Sequence, residues 1–256
     1  MLTPPVTVGV SLKAYFSRRA ARAWFADVAD MLRSHPGVQR GDVEVFVIPS
    51  FLQLEDARAA LDGTGAHLGV QDVSPFPPGA FTGEVTATEV ADSGASFAEI
   101  GHAERRRLLG ETDATVAAKV GAALGAGLVP VLCVGEHEHA DAETAARLTV
   151  TQLRADLADA PDGRVIVAYE PVWAIGAPEP ASAAHIRTVA AALRVALDAD
   201  AGRAGSTVIY GGSAGPGLLS RLGGQVDGLF LGRFAHDPAG FAGVLDEASA
   251  LAEATR

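Results

Sequence analysis

The sequence has 256 residues, 48% of them hydrophobic and 20% charged, with 29 glycines; that composition builds a large core and excludes a disordered chain. A formal net charge of -11 repels polyanions over most of the surface, which excludes nucleic acid and anionic membrane as partners. A small anionic ligand then needs a local positive site. The single cysteine, Cys133, excludes an internal disulfide and fits a reducing compartment. The opening Met1-Leu2-Thr3-Pro4-Pro5 has no basic segment followed by an apolar one, and no stretch is long and apolar enough to span a bilayer. A cytoplasmic chain is expected.

Short apolar runs and amphipathic stretches then alternate. In chain order, a strand is predicted over Val6 to Leu12 and a helix over Arg18 to Arg33; a strand over Val43 to Ile48 and a helix over Leu52 to Leu61. Strands over His67 to Val73 and Ser96 to Gly101 come next, the latter handing over to a helix that carries three consecutive arginines, followed by a helix over Thr112 to Leu124. The rest reads as strand Leu128 to Val134, helix Ala142 to Leu157, strand Val165 to Tyr169, helix Ser182 to Leu197, strands Thr207 to Tyr210 and Val226 to Leu231, and helix Pro238 to Leu251. Several strands are continuous Val/Ile/Leu runs, the pattern of parallel strands covered on both faces. Eight such units in this length predict one closed (β/α)8 barrel domain over residues 1–256. A doubly wound sheet would carry fewer strands and a Gly-rich turn after the first, and none follows Leu12.

In a barrel of this kind the chemistry sits where strands end. Lys13 stands just past the first strand in a chain with only two lysines, Lys13 and Lys119, against 18 arginines. An ammonium there holds a phosphorylated sugar as a compact point charge; read alone, the residue is equally a solvated surface lysine. His102 lies in Gly101-His102-Ala103-Glu104-Arg105-Arg106-Arg107 at the start of a helix, where the dipole disfavours a charged imidazole. A neutral ring there donates to a substrate oxygen as charge develops. A lone strand-end histidine is more often structural, and an arginine run more often an ion-paired face.

Glu170 ends an apolar strand in Ala168-Tyr169-Glu170-Pro171-Val172-Trp173-Ala174-Ile175-Gly176. Desolvation at an apolar barrel mouth raises its basicity and suits it to abstract a proton beside a carbonyl. The segment after it reads as a lid, with Pro171 stiffening one hinge, Trp173 packing, and Gly176 letting a main-chain amide approach a phosphate. Tyr210-Gly211-Gly212-Ser213 and Leu231-Gly232-Arg233 end the last two strands, where barrels bind phosphate through backbone amides.

These segments, with Gln71 through Glu84 between them, resemble triosephosphate isomerase along nearly the whole chain. The resemblance implies a homodimeric enzyme, without cofactor or metal, that interconverts small phosphosugars by proton transfer. It assigns Lys13 to substrate and enediolate binding, His102 as electrophile, Glu170 as base, Glu104 as a supporting carboxylate, and Gly176, Ser213 and Gly232 to the phosphate. It also implies dimer contacts from the loop Gln71 to Glu84, with Phe76 at its tip and Thr82 reaching toward the neighbouring active site.

The sequence departs from the family around the pocket. Ser11 replaces Asn, Ala103 replaces Ser, Arg233 replaces the second Gly of the last phosphate loop, and Ala177-Pro178-Glu179-Pro180 replaces Thr-Gly-Lys-Thr-Ala in a lid that reads as shorter. Ser11 and Ala103 remove side-chain atoms while Arg233 adds a fork suited to phosphate or a hydroxyl. These changes predict either a three-carbon or a four-carbon substrate, an erythrulose phosphate. Two other readings are a noncatalytic phosphosugar-binding barrel and a barrel enzyme of aldolase type. The intact set Lys13, His102 and Glu170 argues against the first, and the lack of a second lysine near Lys13 against the other. His137-Glu138-His139 does not put both imidazoles on one helical face and reads as a solvated loop.

Overall fold

The computed structural model describes residues 5–255; the expectation drawn from Met1 to Pro4 lies outside the described residues. Eight strands, β1 (Val6–Ser11), β2 (Val43–Ile48), β3 (His67–Val70), β4 (Phe97–Ile100), β5 (Val129–Val134), β6 (Ile166–Tyr169), β7 (Thr207–Tyr210) and β8 (Gly228–Leu231), pair in sequence order. Every pairing is parallel, and β8 returns to β1 to close the barrel. The predicted (β/α)8 architecture is the one observed.

The interior is filled by Phe46, Ile48, Phe97, Val131, Cys133, Ile166, Ala168, Ile209 and Phe230. Phe46 and Phe97 stack at a centroid distance of 5.0 Å. Room for Phe46 depends on Gly9, since a Cβ there would fall 2.0 Å from its ring. The outward faces of the same strands pack against the helices in a second, larger cluster.

Helices follow the strands: α1 (Arg18–Ser34), α2 (Pro36–Gln39), α3 (Leu54–Leu61), α4 (Ala87–Asp92), α5 (Ala103–Leu109), α6 (Asp113–Gly125), α7 (Ala142–Asp156), α8 (Ala183–Asp198), α9 (Leu218–Leu222) and α10 (Pro238–Ala254). In α1, Ser17 caps the first turn, and Ala21, Trp24, Phe25, Val28, Ala29 and Leu32 form the buried stripe at helical spacing. Trp24 Nε1 donates to the Ala235 carbonyl at 2.8 Å, tying the first helix to the segment after β8. Among the described residues no helix is long and apolar enough to cross a membrane.

Two expectations need correction. The third strand stops at Val70 and does not reach Val73, because Gln71 turns its amide to the Lys13 carbonyl and Asp72 turns to Lys119 and Arg105. The helices α2, α4 and α9 went unread, being too short to show a helical period. The stretch read as a helix from Leu52 begins as a 3-10 turn over Phe51–Gln53 before α3.

Candidate active site

A cavity of about 1120 Å³ opens at the carboxyl ends of the strands, and Ser11, Lys13, His102, Glu104, Glu170, Gly176, Ser213, Gly232 and Arg233 all line it. Residues far apart in the chain meet there because every strand delivers its last residue to one end of the barrel.

Lys13 adopts a left-handed backbone, φ +48°, which is strained for a residue with a Cβ. Gln71 Nε2 holds it by donating to its carbonyl at 2.9 Å. The ammonium donates to Glu104 Oε1 at 2.9 Å. Burial works against its charge, but the Glu104 hydrogen bond and the carboxylates of Glu170, Glu104 and Glu99 outweigh it and hold Lys13 above its ordinary pKa.

His102 caps α5, its Nδ1 accepting from the Glu104 backbone N–H at 3.1 Å. An accepting Nδ1 carries no proton, so the neutral ring bears it on Nε2, which lies 3.5 Å from Glu170 Oε2. Burial first, then the charge of Lys13, pushes His102 down to about 4. The helix start that the sequence pointed to fixes the tautomer, while burial and Lys13 keep the ring uncharged.

Glu170 follows β6, its backbone N–H donating to the Val134 carbonyl at 2.8 Å. It is 5% exposed. Burial pushes its carboxyl up to about 8, with Lys13 pulling the other way and Glu99 adding repulsion. Its inward position depends on Gly211, where a Cβ would sit 2.6 Å from Oε1. Among the described residues Oε2 is buried without a hydrogen-bond partner, so a basic oxygen faces the imidazole N–H unused.

The segment Pro171 to Ala181 arches beside this pair. Its near end is a 3-10 turn, Val172–Ala174, anchored by Trp173 Nε1 donating to Glu136 Oε1 at 2.8 Å. The buried Glu136 also receives the Tyr169 hydroxyl at 3.1 Å and faces His185 Nε2 at 3.2 Å. At the far end the Ala181 N–H donates to the Tyr210 hydroxyl at 3.0 Å, and Ser213 Oγ donates to the Ala177 carbonyl at 2.7 Å. Arg233, on the rim, reaches the Gly176 carbonyl at 3.4 Å.

Sequence reasoning missed Glu99 and Glu136. Glu99 points into the barrel from β4, is 3% exposed, accepts from Ser11 Oγ at 2.7 Å, and is pushed by burial up to about 7. The available signal was a lone acid inside the otherwise apolar Phe97-Ala98-Glu99-Ile100. Of the arginine run, Arg105 pairs with Asp72 and Glu111, and Arg106 with Asp113 and Asp156. His137 and His139 are exposed, and among the described residues no group of His, Cys, Asp and Glu is placed to hold a metal. Phe76 and Phe81 stack at 4.3 Å on an exposed loop that also presents Thr82, away from this chain's own cavity lining.

Residues 6–248 match the family model described as triosephosphate isomerase. The chain belongs to the triosephosphate isomerase family. It is 45% identical to an L-erythrulose-1-phosphate isomerase of Pectobacterium atrosepticum over 98% of each chain. It is 42% identical to a triosephosphate isomerase of Mycobacteroides abscessus over 78% of this chain and 81% of that protein. Its identity to an L-erythrulose-1-phosphate isomerase of Mesorhizobium japonicum is 38%, over 81% of this chain and 85% of that protein. Within the triosephosphate isomerase family, therefore, relatives named for three-carbon and for four-carbon sugars both align along most of the chain.

Proposed function

We propose that the protein isomerises a small ketose phosphate by proton transfer through an enediolate, and that its substrate is a four-carbon erythrulose phosphate. The observation that carries the chemistry is the partnerless Glu170 Oε2 facing His102 Nε2 at 3.5 Å in the cavity that Lys13 shares. Glu170 takes a proton from the carbon beside the carbonyl. The C–H electrons form the new C=C bond, and the carbonyl π electrons move to oxygen. His102 Nε2–H donates to that oxygen and takes the proton of the neighbouring hydroxyl, while Lys13 offsets the negative charge. Glu170 returns its proton to the other carbon, so the sequence is balanced and invokes no cofactor. Gly176, Ser213, Gly232 and Arg233 hold the phosphate, and Glu104 positions Lys13.

The four-carbon sugar is supported by the identity of 45% along 98% of the chain to the Pectobacterium relative and by the changes at Ser11 and Ala103. Moving the carbonyl of a tetrulose 1-phosphate from C2 to C3 gives, numbered from the other end, a tetrulose 4-phosphate by the same proton shift. The triose reading, dihydroxyacetone phosphate to glyceraldehyde 3-phosphate, is favoured by the relatives named triosephosphate isomerase. We further infer a cytoplasmic homodimer built as one barrel domain per chain, with the stacked Phe76 and Phe81 filling a partner pocket and Thr82 approaching the partner's site.

Purified protein assayed on erythrulose 1-phosphate and, in parallel, on dihydroxyacetone phosphate tests the proposal. Tetrulose turnover exceeding triose turnover is expected. Triose turnover alone would leave the proton-transfer chemistry and replace the substrate; turnover of neither would remove both.

A further inference from the structure

Glu99 occupies a place where a barrel ordinarily holds an apolar side chain. Around it the interior is built from Ile48, Phe97, Val131, Cys133 and Phe230, and its carboxyl has one side-chain donor among the described residues, Ser11 Oγ at 2.7 Å. Burying a carboxyl with one hydrogen bond destabilises a fold that an isoleucine at the same point would satisfy by packing. Such a group is explained by what it offers to the cavity it lines, and Ser11 and Glu99 line the cavity together with Lys13, His102 and Glu170. In either protonation state the carboxyl presents an acceptor oxygen, and Ser11 Oγ, having donated its proton, keeps lone pairs for a second donor.

The position fits one part of a longer substrate. The phosphate side of the cavity is made by the residues after β6, β7 and β8, and in the closed ring β4, which carries Glu99, stands opposite β8. Glu170 and His102 act on the two carbons next to the phosphate-bearing one. A four-carbon ketose phosphate differs from a three-carbon one by a hydroxymethyl group beyond those carbons, on the end away from the phosphate. That end meets β4, where Glu99 stands, and Ser11 reaches the same carboxyl across the interior from β1, the strand beside β8.

We propose that Ser11 and Glu99 form the subsite for this terminal hydroxymethyl group, with Glu99 accepting the hydrogen bond of its hydroxyl, and that the pair selects the four-carbon sugar. The inference rests on the isomerase reading above and deepens it. Serine in place of the longer amide leaves space for the extra carbon, and the acid supplies the partner that a hydroxyl in a buried pocket requires.

The test compares kcat/KM of the wild-type enzyme with Glu99→Ile and Glu99→Gln on erythrulose 1-phosphate and on dihydroxyacetone phosphate. Glu99→Ile is expected to lose about 30-fold more on the tetrulose than on the triose, the loss of one hydrogen bond to a carboxyl, beyond whatever loss both sugars share from removing a charge near Lys13 and Glu170. Glu99→Gln, which keeps an acceptor oxygen, should lose less. Wild-type enzyme given 4-deoxyerythrulose 1-phosphate needs no variant and should show the same loss, with no further loss beyond the shared one when Glu99→Ile meets that analogue. Equal losses on both sugars, or full activity on the deoxy analogue, would overturn the subsite. Wild-type turnover of triose without tetrulose would overturn it while leaving the proton-transfer reading intact, and turnover of neither sugar would overturn both.

Discussion

Glu170 Oε2 and His102 Nε2 stand 3.5 Å apart, the proposed base and electrophile, delivered from the end of β6 and the start of α5 to one cavity. Shortening the base by a methylene withdraws its oxygen by more than 1 Å without changing its charge. Glu170→Asp is therefore expected to lower kcat about 100-fold while KM changes little, since misplacement of this size acts on the transition state. Steady-state kinetics on the better substrate decide the matter, and an unchanged kcat would remove Glu170 from the mechanism.

The acidity of the pair sets the pH profile. A base works only when deprotonated, and burial pushes Glu170 up to about 8. The kcat/KM of the free enzyme should rise with pH and level off above about 8. His102, pushed down to about 4, stays neutral through neutral pH and should add no second limb down to about pH 5. A profile flat from about pH 6 upward would contradict the raised Glu170.

Glu99 makes a stability prediction with a definite sign. Its carboxyl is pushed from an ordinary 4.5 up to about 7 in the folded chain, so between those values the folded state binds more protons than the unfolded one. The stability this contributes is fully present below the lower value and is lost as pH rises through the upper one. Glu99→Gln carries no ionisable group there. Its stability relative to wild type should therefore improve between pH 5 and pH 8 by about 2 kcal/mol, or several degrees in Tm. Melting curves with a constant difference at the two pH values would refute it.

Tyr210 holds the far end of the segment Pro171 to Ala181, which we propose acts as a lid. Its hydroxyl accepts from the Ala181 N–H at 3.0 Å, and Phe at that position leaves the N–H without this partner. Tyr210→Phe should lower kcat/KM about 10-fold, because a lid held less firmly excludes water less well. Undiminished kcat/KM would mean that Ser213 and the Ala177 carbonyl suffice to pin the segment.

Arg233 touches the same lid from the rim, at the Gly176 carbonyl. Arg233→Gly restores the family's second glycine. It should alter the preference between triose and tetrulose phosphates if the guanidinium meets the sugar, and reduce both alike if it meets only the phosphate. Ratios of kcat/KM for the two sugars distinguish these outcomes.

The eight strands were legible because continuous Val, Ile and Leu runs such as Val129–Val134 carry their own signal, and the barrel followed from their number and alternation with helices. Lys13, His102 and Glu170 were legible because each ends a strand, and a barrel brings strand ends together whatever loops lie between. The three shortest α-helices escaped, since a helix of one turn has no period to read. What only the tertiary structure decided depends on partners distant in sequence. Gln71 holds the strained Lys13 from 58 residues away, and Ser11 meets Glu99 across 88. The perturbed acidities of Glu99, His102 and Glu170 belong to the same class. A pKa is set by the dielectric and charges that surround a group in three dimensions, and the linear sequence supplies the groups without their surroundings.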